Sequence, residues 1–383
     1  EIYEFFPIQH PANDTKSDII TTHFDYHSID KNLLKLDILG HDVPSMIRQL
    51  QDMTGVDPLT VPIKDDKVMS LFVGTDGLDI KDPNYRFTHG SYAIHEFGTP
   101  FVRQMLDDIK PTTIEELVRI SGLSHGTDVW LGNAHDLVVD GITTMREAIA
   151  TRDDIMNYLR KKGLPNSDAF TIMEKVRKGK GLTDEQEALM AEHDVPEWYI
   201  DSCKKIKYMF PRAHAVAYVI MSMREAYYKV YYPAEFYAVY FTTKAANFDE
   251  KVILKGQKAV EERMDEIARL GKEASKKEEA DFTVLEVAYE MYARGYEFAP
   301  ARLGISDPWK FKVNEGKVVL PFVAINGMGE GAAGALARGY KERPYETVED
   351  VIERGKVNKT VIEELRSHGV LDGLPETAQI SFF

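Results

Sequence analysis

Between residues 100 and 295 apolar side chains recur at helical spacing almost without a gap, and the boundaries carry residues that start or stop helices. Thr99-Pro100 reads as an N-cap followed by proline at the first helical position. Thr112-x-x-Glu115 and Thr183-x-x-Gln186 spell capping boxes, while Gly122, Gly163, Gly271 and Gly295 stand where helices are expected to end. A long periodic run covers residues 198–231, and Pro211 must interrupt it or restart a helix within it. Residues 248–271 are so highly charged that a solvent-facing helix is expected. Period-two alternation is confined to short stretches: residues 19–26, residues 33–39 between Asn32 and Gly40, and the pair 309–313 and 317–320 around Asn314-Glu315-Gly316. The pattern predicts a mostly α fold with small β elements, an α+β chain of several domains.

Composition adds a few limits. The 383 residues are enough for two or three domains, and 44% hydrophobic with 28% charged residues is the balance of a folded globular protein. The single cysteine, Cys203, excludes an internal disulfide and a multi-cysteine zinc site, and points to a reducing, intracellular compartment. The longest apolar stretch, residues 215–223, is interrupted by Tyr218 and Ser222 and is far below the roughly 20 residues of a membrane span. No membrane partner is expected. The chain opens Glu-Ile-Tyr with no charged-then-apolar leader, as expected of a piece of a longer protein.

A net charge of −15 argues against nucleic-acid binding by the chain as a whole, but the charge is uneven. Two segments are basic: residues 160–180, ending in Arg177, Lys178 and Lys180, and residues 204–212, opening with Lys204, Lys205 and Lys207. Such strips suit phosphates; solvated helix faces are the alternative.

Four constellations carry candidate chemistry. Asp37 sits inside the alternating stretch, where a carboxylate is expensive unless paired or holding a cation; a solvated strand face is the other reading. Neighbouring His41-Asp42 and the pair His23 and His27 have metal-ligand character but lack further ligands. In the second, residues 208–218, a helix restarting after Pro211 sets Arg212 at its start and His214 and Tyr218 on one face, beside Phe210. Cation, imidazole and phenol at a helix start suit a triphosphate and its base, although an amphipathic core helix has the same pattern. In the third, Gly327, Gly329 and Gly331 between apolar residues and an Ala-rich helix have the layout of a helix-hairpin-helix, whose backbone amides approach a DNA phosphate without reading sequence; a merely structural glycine turn is the other reading. The fourth is Gln379, Ile380, Ser381, Phe382 and Phe383, an apolar anchor after a polar stretch, suited to a partner's pocket or to packing on the core.

Longer strings carry a resemblance. They are Thr21-Thr22-His23-Phe24-Asp25-Tyr26-His27-Ser28-Ile29, Asn32-Leu33-Leu34-Lys35-Leu36-Asp37-Ile38-Leu39-Gly40-His41-Asp42, Ile120-Ser121-Gly122-Leu123-Ser124-His125-Gly126-Thr127-Asp128-Val129-Trp130-Leu131-Gly132-Asn133-Ala134, and Val195-Pro196-Glu197-Trp198-Tyr199-Ile200-Asp201-Ser202-Cys203-Lys204-Lys205-Ile206-Lys207-Tyr208-Met209-Phe210. Together they resemble the C-terminal part of the PolC-type catalytic subunit of bacterial DNA polymerase III.

The resemblance implies residues 1–45 as partial palm, 46–295 as helical fingers, 296–375 as a duplex-binding helix-hairpin-helix domain and 376–383 as a clamp-binding tail. It implies Asp37 as the last of three palm carboxylates holding two Mg2+ ions, the other two lying in an upstream motif that this sequence does not contain, so that this chain alone is expected not to extend a primer. Ser121, Gly122, Ser124, His125, Arg152, Phe210, Arg212, His214 and Tyr218 would wall the pocket for base pair and triphosphate. Arg212 stands where the family is expected to have lysine, which keeps the charge and changes the donor geometry. The tail matches a sliding-clamp motif usually written Gln-Leu-Ser-Leu-Phe, with Ile380 and Phe382 replacing the leucines. The implied partners are primer-template DNA, dNTPs, the sliding clamp and other replisome subunits, in a bacterial cytoplasm at the nucleoid. A non-catalytic DNA-binding and clamp-tethering module is the alternative, and it would need no Asp37.

Overall fold

The computed structural model describes residues 2–34, 36, 38 and 40–377, in two compact units, Glu1–Asp42 and Val43–Phe383. In the first unit, β1 (Ile8–Gln9) pairs antiparallel with β2 (Thr21–Thr22), with Ile8 opposite Thr22. The expected strand over residues 19–26 shrinks to β2, because the Asp25 side chain accepts the His27 amide and caps a helical turn, Tyr26–Ile29. The expected strand over 33–39 does not form among its described residues; Leu34, Leu36 and Ile38 are exposed and carry no ladder bonds. Asp37 lies outside the described residues.

The second unit is helical. Its principal helices are α1 (Asp42–Thr54), α2 (Pro100–Ile109), α3 (Ile114–His125), α4 (Arg152–Lys161), α5 (Asn166–Arg177), α6 (Asp184–Glu192), α7 (Glu197–Lys205) and α8 (Arg212–Tyr231). They are followed by α9 (Pro233–Thr243), α10 (Gln257–Leu270), α11 (Lys276–Ala293), α12 (Glu330–Glu342), α13 (Val348–Gly355) and α14 (Lys359–Ser367). Thr99 and Pro100 open α2 as the sequence predicts, the Thr99 hydroxyl accepting the Val102 amide. The box at α3 lies one residue later than the first Thr-x-x-Glu match: Thr113 caps and Glu116 reaches back. That slip leaves Glu115 facing outward, where it meets Arg212. Gly122 does not stop α3 but lies buried within it. Residues 248–271 split at Gly256, and α10 turns Val260, Met264 and Ile267 inward, so only its other face is solvated.

A three-stranded sheet follows, ordered β3 (Phe298–Ala299), β5 (Lys317–Val319), β4 (Lys312–Asn314). The predicted hairpin is β4–β5, with Val313 opposite Val318; β3 adds in parallel, Phe298 opposite Val318. Two apolar cores organise the unit. One gathers Phe72, Phe97, Leu117, Ile155, Tyr199, Cys203 and their neighbours, and the other Phe236, Phe241, Tyr289, Phe311, Leu336 and Leu365. Helix α8 serves both: Val219, Met223 and Ala226 enter the first core and Tyr228 the second. Among the described residues no helix is long and apolar enough to cross a membrane.

Candidate functional site

Helix α3 brings the first set of residues together. A Cβ on Gly122 would come within 2.7 Å of Thr151 Cγ2 and 2.8 Å of the Ala150 carbonyl oxygen, so only glycine allows residues 150–152 to lie against this helix. The Arg152 amide then donates to the Phe210 carbonyl at 3.2 Å, and Thr127 and Tyr208 form a bridge. Three segments far apart in sequence, 121–127, 150–154 and 208–218, thus meet at the start of α8.

Rings line this meeting point. His125 stacks on Phe210 at 4.8 Å, Phe210 meets His214 edge-on at 4.7 Å, and His214 stacks on Tyr218 at 4.3 Å. The ladder continues to His95, 6.0 Å from Tyr218. Phe210, His214 and Tyr218 share one face because they are spaced by four residues across the Pro211 restart.

One carboxylate holds the ladder at both ends. Glu96 lies 3.1 Å from His95 Nε2 and 3.2 Å from His125 Nε2, and accepts the Ser121 hydroxyl at 3.1 Å. Burial alone would raise its carboxyl, but the bond with His95, the charge of His125 and the Ser121 hydroxyl hold it below the ordinary glutamate range. Its backbone has φ +68°, and Ala93 has φ +62°, left-handed conformations that are uncommon outside glycine. The loop is braced from α8: the Ser222 hydroxyl donates to the His95 carbonyl at 2.8 Å and Glu225 accepts the His95 amide at 3.0 Å. Burial pushes the Glu225 carboxyl up to about 7.

His95, Glu96 and Glu225 are the members that the sequence reading missed. Residues 91–98 follow neither period, and their partners lie 25 to 130 residues away. A His-Glu pair between Gly90 and Gly98, in a stretch without helical or strand pattern, is the only local signal.

The arginines are tethered. Arg212 pairs with Glu115 and, at 3.3 Å, with Asp154, while its amide donates to Asp153 at 2.7 Å. Arg152 stands 4.0 Å from Asp153. The start of α8 is thus a cation among carboxylates, and a triphosphate taking Arg212 would have to exchange with Glu115 and Asp154.

The two basic strips meet where residues 177–179 lie against residues 207–209. Arg177 and Lys178 end α5, Lys204 and Lys205 end α7, and each pair lies where positive charge complements the helix C-terminus. A Cβ on Gly179 would collide with the Lys207 carbonyl, and the Met209 amide donates to the Arg177 carbonyl at 3.3 Å, so the strips touch. Glu174 pairs with Arg177 and, at 3.0 Å, with Lys178; the Arg177 hydrogen bond is the main force drawing its carboxyl down to about 2. Lys204 pairs with Glu187 at 3.1 Å and Lys205 donates to the Gly132 carbonyl at 2.9 Å, whereas Lys180 and Lys207 are exposed.

The glycine turn lies at the start of α12. Gly327 takes φ +77°, and Gly329 is the N-cap in ordinary extended conformation. Ile325 and Met328 are buried beneath the turn, yet a Cβ on Gly327, Gly329 or Gly331 would meet nothing within 4 Å. The turn is thus anchored from below and open above. The arm before it is a single 3-10 turn, Phe322–Ala324, because β5 ends at Val319 and Pro321 leaves room for no longer helix. A second hairpin, α13 and α14, turns at Lys356 with Asn358 as N-cap.

The tail candidates Gln379, Ile380, Ser381, Phe382 and Phe383 lie outside the described residues, as does Asp37. Among the described residues no cluster of three or more His, Cys, Asp or Glu side chains is arranged to hold a metal ion. His23 instead faces the Gln9 amide oxygen at 2.8 Å.

Residues 43–195 match the family model described as the bacterial DNA polymerase III alpha subunit finger domain, and residues 295–379 match a helix-hairpin-helix motif. All 383 residues align with proteins named DNA polymerase III PolC-type, at 55% identity in Clostridium perfringens and 52% in Bacillus subtilis, covering 26% and 27% of those chains. The protein of that name from Thermotoga petrophila is 49% identical over the whole chain and 28% of its own length. The chain spans about a quarter of the length of the curated relatives it matches. Finger model, hairpin model and an end-to-end match at about half identity agree: the chain is similar over its whole length to PolC-type DNA polymerase III, and the two matched models fit the C-terminal portion of that polymerase.

Proposed function

We propose that this chain is the partial palm, fingers and duplex-binding portion of a replicative DNA polymerase that adds dNTPs to a primer 3′ end. The observation that carries the reading is the unbroken similarity to polymerases named PolC-type, with finger and hairpin models in that order. The division into residues 1–45, 46–295, 296–375 and 376–383 is part of the proposal. The ring ladder from His125 to Tyr218 supports a wall for the nascent base pair, since stacked rings accept any base face. The joined strips support contact with phosphates, and the open glycine turn supports backbone binding without sequence readout. Mg2+ chemistry would come from carboxylates that include Asp37; the described residues do not by themselves fit a two-metal site. Residues 379–383 would engage the sliding clamp, in a cytoplasmic replisome.

Duplex binding by the chain is expected to fall linearly in log K against log[salt] and to ignore sequence. Gly329→Val tests the hairpin: its backbone (φ −77°, ψ 158°) accepts valine and nothing in the chain obstructs the side chain. Duplex affinity should fall about tenfold or more through lost amide–phosphate bonds, with the helical circular dichroism unchanged. A folded Gly329→Val chain binding duplex as tightly as its parent overturns the hairpin's role.

A further inference from the structure

Trp309 lies beside the glycine turn and is both exposed and fixed. Its indole N–H donates to the Glu330 carbonyl in the first turn of α12, at 3.3 Å. Its ring lies on that helix where Gly334 gives it room: a Cβ there would sit 3.0 Å from Trp309 Cζ2. The backbone is pinned as well. Asp307 accepts the amides of Trp309 and Lys310 at 2.9 and 3.0 Å, and the Phe322 and Val323 amides bond the carbonyls of Asp307 and Pro308. Even so, 46% of the tryptophan is exposed, at the edge of a cleft it shares with Ala245, Ala246, Val323 and Lys310.

A large aromatic side chain left half in water gives up burial that would stabilise the fold. Held on two sides, it offers a partner a contact surface with little ordering cost. The neighbouring feature says which partner. The ring touches the same helical turn that begins with Gly329 and Gly331, so a phosphate seated over those amides brings its own deoxyribose toward the indole. Lys310, exposed at the next position, supplies positive charge beside it, while Glu330 keeps its carboxylate at the helix start, where the dipole favours it.

We infer that Trp309 is a nucleic-acid contact of the hairpin module, packing its exposed face against the sugar of the strand whose phosphate the glycine turn receives. The inference rests on the duplex-binding reading above. It predicts an apolar contribution: Trp309→Ala should weaken binding of a short primer-template duplex about tenfold while leaving the slope of log K against log[salt] unchanged. Trp309→Phe should recover part of the loss.

Tryptophan emission gives a second readout, because Trp130 is buried and Trp198 largely so. Duplex should quench emission of the parent chain more than that of Trp309→Phe, in which only Trp130 and Trp198, the latter beside Lys204 and Lys205, remain. Parent-like affinity in a folded Trp309→Ala chain, or quenching undiminished in Trp309→Phe, overturns the inference. If binding survives Trp309→Ala but is lost in Gly329→Val, only the tryptophan contact fails. If the parent chain binds no duplex at any salt, the duplex-binding reading fails with it.

Discussion

Replacing Lys229 with methionine is expected to destabilise the second unit by about 3–5 kcal/mol, the cost of leaving a buried charge without its partner. Lys229 Nζ lies 2.6 Å from Glu290 Oε1, both side chains fully buried, and it also donates to the carbonyls of Gly90 and Tyr92. Burial pushes the ammonium down to about 8, and the attraction of Glu290 keeps it from falling further. Around the pair, the Tyr237 hydroxyl donates to Glu290 at 2.7 Å, and Arg294 donates to Tyr237, to the Lys229 carbonyl and to the Leu78 carbonyl. Methionine removes one charge and orphans two carbonyls at the root of the loop that carries Glu96. Urea unfolding of the chain measures the loss. The double variant Lys229→Met, Glu290→Gln should lose less than Lys229→Met alone, because it leaves no unpaired carboxylate. A single variant within 1 kcal/mol of the parent would show the pair to be dispensable.

Glu225→Gln should change how stability depends on pH. Burial moves the Glu225 carboxyl from 4.5 to about 7 in the folded chain. Between those values the unfolded chain releases the proton and the native chain keeps it. The stability that this group contributes is therefore complete below about pH 4.5 and is lost as pH rises through 7, a change of about 3 kcal/mol. Glutamine cannot ionise, and its carbonyl still accepts the His95 amide. The difference in unfolding free energy between Glu225→Gln and the parent should therefore rise toward the variant across that window by about the same amount. Taking the difference cancels the other buried groups, including Lys229, which stays protonated there, and it leaves His95 and Glu96 as the titratable neighbours of the changed site. Parallel stability curves for the two chains would show that Glu225 does not titrate in this range.

Local chemistry made much of this fold readable from sequence. Thr99-Pro100 opens a helix, Pro211 restarts one, and the Gly327 turn precedes α12, because caps, prolines and positive-φ positions act within a few residues. Where two local solutions compete, sequence alone does not choose: Thr112-x-x-Glu115 and Thr113-x-x-Glu116 both satisfy the capping pattern, and the helix takes the second. Gly122 looks like a helix stop, but its reason for being glycine is the neighbour at Ala150, 28 residues on. Strand β3 has only two residues and exists because β5 lies ready beside it. The same limit governs the candidate site. His125 and Phe210 are legible in the motif strings, His214 and Tyr218 in the helical spacing after Pro211, and the basic strips in the charge pattern. The joining of those strips at Gly179, and the carboxylate that ties His95 to His125, depend on tertiary contacts with no periodic signature.

Helix α8 runs from the ring ladder to the buried lysine, and its residues enter both apolar cores. His214 and Lys229 are fifteen residues apart on one unbroken rod, about 22 Å at helical rise. Mechanically, such a rod is a lever with its fulcrum in the packing between the cores. A tilt imposed at the ring end would be felt at the Lys229 end as well, because the helix between them is continuous and packs into both cores.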